Sequence, residues 1–345
     1  MRSVLDELRE IWDQVDQPFF VKGDESLSFS EVAAADHVDL SLVEPGHVVA
    51  LVGDFDAISV NTLLRLLDLR TVIVPLTKET EQLHESFFQS AMVDVVIAAG
   101  SVTRRSHKKS HPLLESLRAQ EHSGLVLFSS GTTGTPKAIL HDLSKFLERY
   151  RTPRPSLRTL GFLLFDHIGG INTLIHTLFN RGVVIIPENR APRDVLEACA
   201  LHDVEVLPTT PTFLRMMIMA GLIPKAVPES LKIVTYGTEK MDQATLDTLC
   251  ALLPNVDFRQ TYGMSEIGIL RVKSESRNSL FMQIGGEGVS LKVDEGVLHI
   301  RSETRMLGYL NEDSPFDDEG WYNTKDIVEQ KGVYYSVVGR TSDLI

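Results

Sequence analysis

Residues 125–142, LVLFSSGTTGTPKAILHD, carry the densest set of groups in the chain able to hold an anion. An apolar run, 125–128, enters nine residues, 129–137, made of small hydroxyl side chains, two glycines, one proline and one lysine. A second β-compatible run, 138–140, leaves it. Ser129, Ser130, Thr132, Thr133 and Thr135 supply hydroxyl donors, and Gly131 and Gly134 let backbone N–H groups converge without Cβ clashes. Lys137 adds a mobile positive charge of the kind a phosphate attracts. By composition alone a Gly/Ser/Thr cluster marks a turn, but an ordered hydroxyl series closing on Pro136-Lys137 points to phosphate. It is not a Walker loop. Counted from Gly131, the position that would open Gly-Lys-Ser/Thr holds Pro136, and a strand follows where a helix is required.

The loop resembles the phosphate-binding signature of the adenylate-forming superfamily: acyl-CoA synthetases, nonribosomal-peptide adenylation domains and firefly-type luciferases. Ala138 stands where that family usually has Gly. Four further motifs fall in the family's order, so the resemblance spans residues 129–345. In Phe165-Asp166-His167-Ile168-Gly169-Gly170, it implies that His167 borders the acyl pocket and the α-phosphate; Asp166 is assigned a structural role. Tyr236-Gly237-Thr238-Glu239 follows a strand, and its counterpart packs backbone against adenine, with Gly237 admitting the flat ring. In Gln260-Thr261-Tyr262-Gly263-Met264-Ser265-Glu266, Tyr262 offers a stacking face and Ser265, where Thr is usual, a hydroxyl for the α-phosphate. Glu266 offers a hard oxygen suited to Mg²⁺. A GxSxG nucleophile elbow would need Gly at 267, where Ile267 stands, so a serine hydrolase is a poor alternative. Last, the resemblance puts Asp326 on the ribose hydroxyls and Arg340 on ribose or phosphate, with Lys325 replacing the usual Gly.

These parts imply attack of a carboxylate on the α-phosphorus of ATP, with pyrophosphate leaving and Mg²⁺ and Lys137 screening charge. The acyl-adenylate would then meet a thiol, of CoA or of an acyl or peptidyl carrier protein. His167, Thr210, Phe213, Tyr236, Gly237 and Met264 are the pocket candidates, a mixed aromatic and apolar set that suits an aryl or medium acyl chain. By the same resemblance Ser342 is the pivot of an inter-domain hinge, and the chain ends at Ile345, before the family's C-terminal lid domain and its lysine. We therefore expect the adenylating core of a carboxylate ligase. The alternative is a module that binds nucleotide or acyl-adenylate with little turnover. A decayed scaffold is disfavoured, because Lys137, Glu266, Asp326 and Arg340 are all present.

The elements that must position these residues follow from patterning. The 345 residues exceed one ordinary core, and 43% hydrophobic content is globular. A net charge of 34 − 47 = −13 argues against nucleic acid as a partner. The basic patch Arg104-Arg105 with Lys108-Lys109 reads as a solvated loop. Cys199 and Cys250 form no metal spacing, no apolar run is long enough to span a membrane, and the N-terminus lacks a signal pattern, so a soluble, cytoplasmic protein is expected. Val4, Leu5, Leu8, Ile11, Trp12 and Val15 recur at helical spacing. A hairpin, 18–21 with 26–29, precedes a helix capped by Ser30. Strands at 47–52, 71–75 and 94–98 alternate with helices at 57–69 and 80–91; residues 101–123 read as an irregular connector. A second alternation runs from 158 to 261, and short β-runs take over from about 271. The expected fold class is α/β: two doubly wound, mostly parallel sheets with helices, plus a small C-terminal β-barrel-like sub-domain. The expected boundaries are 1–130, 131–270 and 271–345.

Overall fold

The computed structural model describes residues 3–106, 110–129 and 136–341. The chain forms two compact units built from discontinuous segments. One comprises the described residues of 1–156, 163–184 and 306–314, the other those of 157–162, 185–305 and 315–341. These units do not follow the expected boundaries in chain order.

In the first unit, Val48–Val52 and Val72–Leu76 are continuous apolar runs, buried along almost their whole length, as strands covered on both faces must be. They pair in parallel with each other, with Val95–Ala98 on one side and with Gly124–Ser129 on the other. Antiparallel strands close both margins. Ser101–Arg104 lies beside Val95–Ala98, while Lys137–Asp142 and then Gly308–Tyr309 extend the other edge. The hairpin of Gly124–Ser129 with Lys137–Asp142 places Ser129 opposite Lys137 at its last register pair. Ser130, Gly131, Thr132, Thr133, Gly134 and Thr135 lie outside the described residues, as do Lys108, Lys109 and Ser342.

Helix Ala57–Asp68 starts at Asp56, whose carboxylate accepts the Ser59 N–H at 2.8 Å. Its last residue, Asp68, accepts the Val4 N–H at 2.7 Å and so anchors helix Val4–Ile11. The Trp12 indole N–H donates to the Leu178 carbonyl at 2.8 Å. Two expectations are corrected here. Ser28, not Ser30, caps helix Phe29–Ala34, because Glu31 stands three residues on and completes a capping box. Residues 101–123 are not irregular: they hold strand Ser101–Arg104 and helix Pro112–Gln120. The strand lies at a sheet edge with mostly exposed side chains, so no apolar alternation marks it. The helix begins with Pro112 in its first turn after the His111 cap. Arg104 pairs with Glu44 and Arg105 with Glu85 at the surface, which accounts for half of the basic patch.

In the second unit, Val206–Thr209, Ile233–Tyr236 and Asp257–Gln260 run parallel in register, and Val206 also pairs with Thr159 of strand Arg158–Leu160. Helices Pro192–Leu201, Pro211–Met219 and Gln243–Leu252 alternate with these strands. From Tyr262 the chain turns antiparallel. Seven strands pair in the order Tyr262–Met264, Gly268–Ser274, Met282–Gly285, Tyr334–Arg340, Tyr322–Lys331, Val297–Ser302 and Val289–Asp294. Their order is open, so the expected β-rich part is a sheet rather than a closed barrel. Its core gathers Ile267, Met282, Ile284, Leu298 and Ile300. Among the described residues no helix is long and apolar enough to cross a membrane.

Helix Ile168–Phe179 packs its first turn against the preceding chain, and a Cβ built on Gly170 would lie 1.9 Å from the Leu164 carbonyl oxygen. In an open helix Gly→Ala stabilises. Gly170→Ala should instead destabilise the protein by about 1–3 kcal/mol, the range for overpacking, and denaturant unfolding of the two proteins reads the sign.

Candidate functional site

Lys137 opens the outgoing strand of the first unit's hairpin, with its Nζ 2.6 Å from the Glu312 carboxylate and 4.9 Å from the centre of the Tyr309 ring. Asn311 brackets the same point. Its side-chain oxygen accepts the Ala138 N–H at 2.9 Å, and its amide donates to the Pro136 carbonyl at 2.9 Å. Ala138 is fully buried within the sheet's core, so a methyl group fills this position where the superfamily usually has Gly.

His167, also in the first unit, is the N-cap of helix Ile168–Phe179: its Nδ1 accepts the Gly169 N–H at 3.0 Å. An accepting Nδ1 requires a neutral ring with its proton on Nε2. Burial lowers the ring's pKa, opposed by the Asp166 charge, and so favours that neutral form. Asp166 accepts from the Thr77 hydroxyl at 2.8 Å, and the Thr77 carbonyl lies 2.9 Å from His84 Nε2, in keeping with a structural role for Asp166.

In the second unit, Asp326 is only 4% exposed and has a partner on each oxygen. The Tyr262 hydroxyl donates to one at 2.6 Å, and Arg340 Nε donates to the other at 2.9 Å. Burial, with Asp326 beside it, pushes the Tyr262 phenol well above its ordinary pKa, which keeps it a donor. The antiparallel pairing of Tyr322–Lys331 with Tyr334–Arg340 sets Asp326 directly opposite Arg340. Lys325 adopts a left-handed backbone, φ 61°, the conformation that favours Gly, at a cost of about 1–2 kcal/mol. The Asn323 side chain accepts its N–H at 2.8 Å and steadies it.

Gly237 follows strand Ile233–Tyr236 at its carboxyl end. The Thr261 N–H and hydroxyl both donate to the Tyr236 carbonyl, at 2.8 and 3.1 Å, drawing the two segments together. A Cβ on Gly237 would then meet Thr261 Oγ1 at 2.1 Å. Thr238 continues in the left-handed region, φ 67°, its hydroxyl donating to the Gly237 carbonyl at 2.6 Å. Gly263 is similarly confined, since its Cβ would lie 2.5 Å from the Gly268 carbonyl. Ser265 and Glu266 follow, and Glu266 is buried at 8% exposure. Among the described residues no three His, Cys, Asp or Glu side chains cluster as a metal site. One carboxylate sharing Mg²⁺ with nucleotide phosphates does not require such a cluster.

Several pocket candidates have local structural duties. Thr210 caps helix Pro211–Met219 by accepting the Phe213 N–H at 3.2 Å. Phe213 is buried with its ring 4.5 Å from that of Phe162. Tyr236 is 1% exposed, and burial raises its phenol pKa. Met264 packs partly against the antiparallel sheet's core.

Thr209, Asn311 and Glu312 escaped sequence reasoning, and Gln260 was quoted there only as the opening residue of its motif. Thr209 Oγ1 and Gln260 Oε1 are buried without a hydrogen-bond partner among the described residues. Both lie at carboxyl strand ends, in one row through Tyr236. That row lies at the end of a parallel sheet where ligands bind, and for Thr209 its place as the polar last residue of an apolar run is the signal that could have found it. Asn311 and Glu312 carried no motif signal.

The AMP-binding enzyme family matches residues 46–310 of the chain. The nicotinic acid–CoA ligase pyr1 of Aspergillus fumigatus is 24% identical over 249 residues, covering 64% of this chain and 42% of that protein. The medium/long-chain-fatty-acid–acyl-carrier-protein ligase FadD10 of Mycobacterium tuberculosis is 26% identical over 259 residues, covering 64% of this chain and 47% of that protein. The chain thus spans less than half the length of either relative. The N-terminal subdomain of Klebsiella oxytoca NpsA, solved with 3-hydroxyanthranilyl-AMSN, superposes with a TM-score of 0.77 at 16% identity. That match covers 99% of this chain and 100% of the other, a likeness of fold.

The geometry generates two measurable outcomes. Tyr262→Phe removes a buried hydrogen bond to a carboxylate and should cost about 1.5–3 kcal/mol of stability, read by denaturant unfolding. His167 has a folded pKa below its ordinary 6.5, so the unfolded chain binds more protons as pH falls past that value. Its contribution is therefore full above pH 6.5 and declines on acidification towards the lowered folded value. His167→Asn, which retains a capping side chain, should make the stability profile shallower below pH 6.5. His176 is lowered the same way, by burial and then Arg154, and would keep its own share.

Proposed function

The chain belongs to the AMP-binding enzyme family, and from that premise we propose that it is the core of an ATP-dependent ligase that adenylates a small carboxylic acid. In the first step a carboxylate oxygen forms a bond to the α-phosphorus, and the bond from that phosphorus to the bridging oxygen breaks. Pyrophosphate leaves with the electron pair, and the product is acyl-AMP. In the second step the sulfur of a thiol, of CoA or a carrier protein, gives up its proton to solvent and bonds to the acyl carbon; the bond from that carbon to the phosphate oxygen breaks, and AMP leaves with the electron pair. Two anions meet in the first step, so positioning and charge neutralisation dominate its catalysis.

The observation that carries the reading is Asp326, a buried carboxylate held in place by Tyr262 and Arg340. Each oxygen keeps a further acceptor site, which suits the paired hydroxyls of a ribose. The unpartnered Gln260 oxygen suits a base bearing an amino donor, and Gly237, Thr238 and Gly263 are assigned to the nucleotide by the resemblance alone. Ser129, Ser130, Gly131, Thr132, Thr133, Ser265 and Lys137 are assigned to the phosphates, with neutral His167 donating from Nε2 near the reacting oxygens. Glu266 would hold Mg²⁺, which supplies further neutralisation of the triphosphate when bound. For the acid, the relatives' names include an aromatic acid and fatty acids. Aryl and medium-chain acids are therefore the classes proposed.

The test is acid-dependent exchange of labelled pyrophosphate into ATP across a panel of aryl and medium-chain acids. Exchange is expected with at least one class, whereas nucleotide binding without exchange would favour the binding-module reading. Asp326→Ala should weaken AMP and ATP alike, by about 2–5 kcal/mol for two charge-assisted hydrogen bonds. Glu266→Gln should weaken MgATP far more than AMP. Calorimetric titration of both nucleotides separates the two effects, and equal losses in Glu266→Gln would remove its metal role.

A further inference from the structure

The segment around Gly308–Tyr309 is remote in sequence from Lys137 yet encloses it. It adds an edge strand to Lys137–Asp142, pairing Gly308 with Leu140 and Tyr309 with Ile139. The Leu307 N–H donates to the Leu140 carbonyl at 2.7 Å, and the Leu310 N–H to the Ala138 carbonyl at 2.9 Å. Beyond the strand, Asn311 binds the backbone on both sides of Lys137, its amide on the Pro136 carbonyl and its oxygen on the Ala138 N–H, 173 residues away. The Lys137 ammonium lies beside the Tyr309 ring and is paired with Glu312. Backbone, ring face and counter-ion thus all come from six consecutive residues, 307–312.

We propose that residues 307–312 form a strap that positions Lys137 for nucleotide phosphates, with Asn311 as the positioning residue and Glu312 as a resting counter-ion that phosphate displaces. The proposal rests on the assignment of Lys137 to the phosphates made above, and takes them to be the distal β- and γ-phosphates. The chemistry follows from charge and exposure. The Lys137 and Glu312 side chains are 26% and 31% exposed, so their ion pair is weak enough to exchange. A polyphosphate offers more negative charge than one carboxylate and can take the ammonium over. Glu312 would then set a threshold: AMP, which lacks the distal phosphates, does not break the pair, while ATP must. Asn311 has the opposite effect, holding the backbone of residues 136–138 so that the lysine stem leaves the sheet at one angle whichever partner it meets.

The experiment titrates the 345-residue chain with MgATP and, separately, AMP, for wild type, Glu312→Gln, Asn311→Ala, Asn311→Asp, Lys137→Ala, and Glu312→Gln combined with Lys137→Ala. Glu312→Gln should tighten MgATP about two- to five-fold, the range for a part-exposed ion pair, and leave AMP unchanged. In the Lys137→Ala background the same substitution should have no such effect. Asn311→Ala should weaken MgATP about tenfold, because it removes both hydrogen bonds that hold the backbone beside Lys137, with AMP again unchanged. Asn311→Asp, which keeps only the acceptor for Ala138, should fall between. Weaker MgATP binding in Glu312→Gln would make Glu312 a participating ligand and overturn the proposal. An equal loss of AMP and MgATP in Asn311→Ala, with a lowered Tm, would make the strap merely structural and overturn it too. If wild type binds both nucleotides and Glu312→Gln binds as wild type, the strap alone fails. If wild type binds neither, the adenylation reading fails with it.

Discussion

A charge held away from water must have a partner whether or not a ligand is bound, and this constraint shapes the candidate residues of each unit. Asp326 is buried at the end of a strand and is met on one oxygen by the Tyr262 hydroxyl and on the other by Arg340. Lys137 is met by Glu312 and by the face of Tyr309. Neither group is bare, and neither is saturated, since a carboxylate oxygen accepts more than one hydrogen bond and an ammonium carries three donors. The two pairings differ in what they allow. Tyr262 and Arg340 approach Asp326 from two other strands and hold its carboxylate in one orientation. Glu312 reaches Lys137 at a partly solvated point, where exchange of partners is cheap.

A second constraint is the close approach of backbone to backbone. Gly237 sits against Thr261, Gly263 against the Gly268 carbonyl and Gly170 against the Leu164 carbonyl, and in each place a Cβ would overlap an atom already present. Where the chain departs from the superfamily's usual glycines, the structure absorbs the departure in two ways. Ala138 lies in a regular strand with its methyl in the core, and needs no special conformation. Lys325 does need one. It takes the left-handed backbone, and its side-chain-supported turn delivers Asp326 to its partners. Such strained positions collect where geometry matters more than local comfort, and Thr238 is another.

Features that depend on neighbours along the chain could be read from the residues alone. Strand–loop–strand around Lys137 was legible because an apolar run precedes the glycines and a β-compatible run follows them. The alternation of strands and helices, and the change to antiparallel strands, were legible because side-chain periodicity is local. The order of the motifs identified the family, and with it Asp326, Arg340 and Glu266 as candidate residues. Local reasoning failed where two local solutions competed or where a segment buries little. Ser28 and Ser30 both precede the same helix, and only Ser28 has Glu31 at the spacing that closes the box. Ser101–Arg104 is an edge strand whose side chains mostly face solvent, so hydrophobic patterning had nothing to report. Thr210 and Phe213, pocket candidates by sequence, also carry duties that local patterning did not announce, one capping a helix and the other packing its ring beside Phe162. The long-range pairings came only with the fold: Tyr262 with Asp326, 64 residues apart, and Asn311 with Ala138, 173 residues apart. No periodicity encodes such contacts, because they exist only once separate strands have been laid side by side.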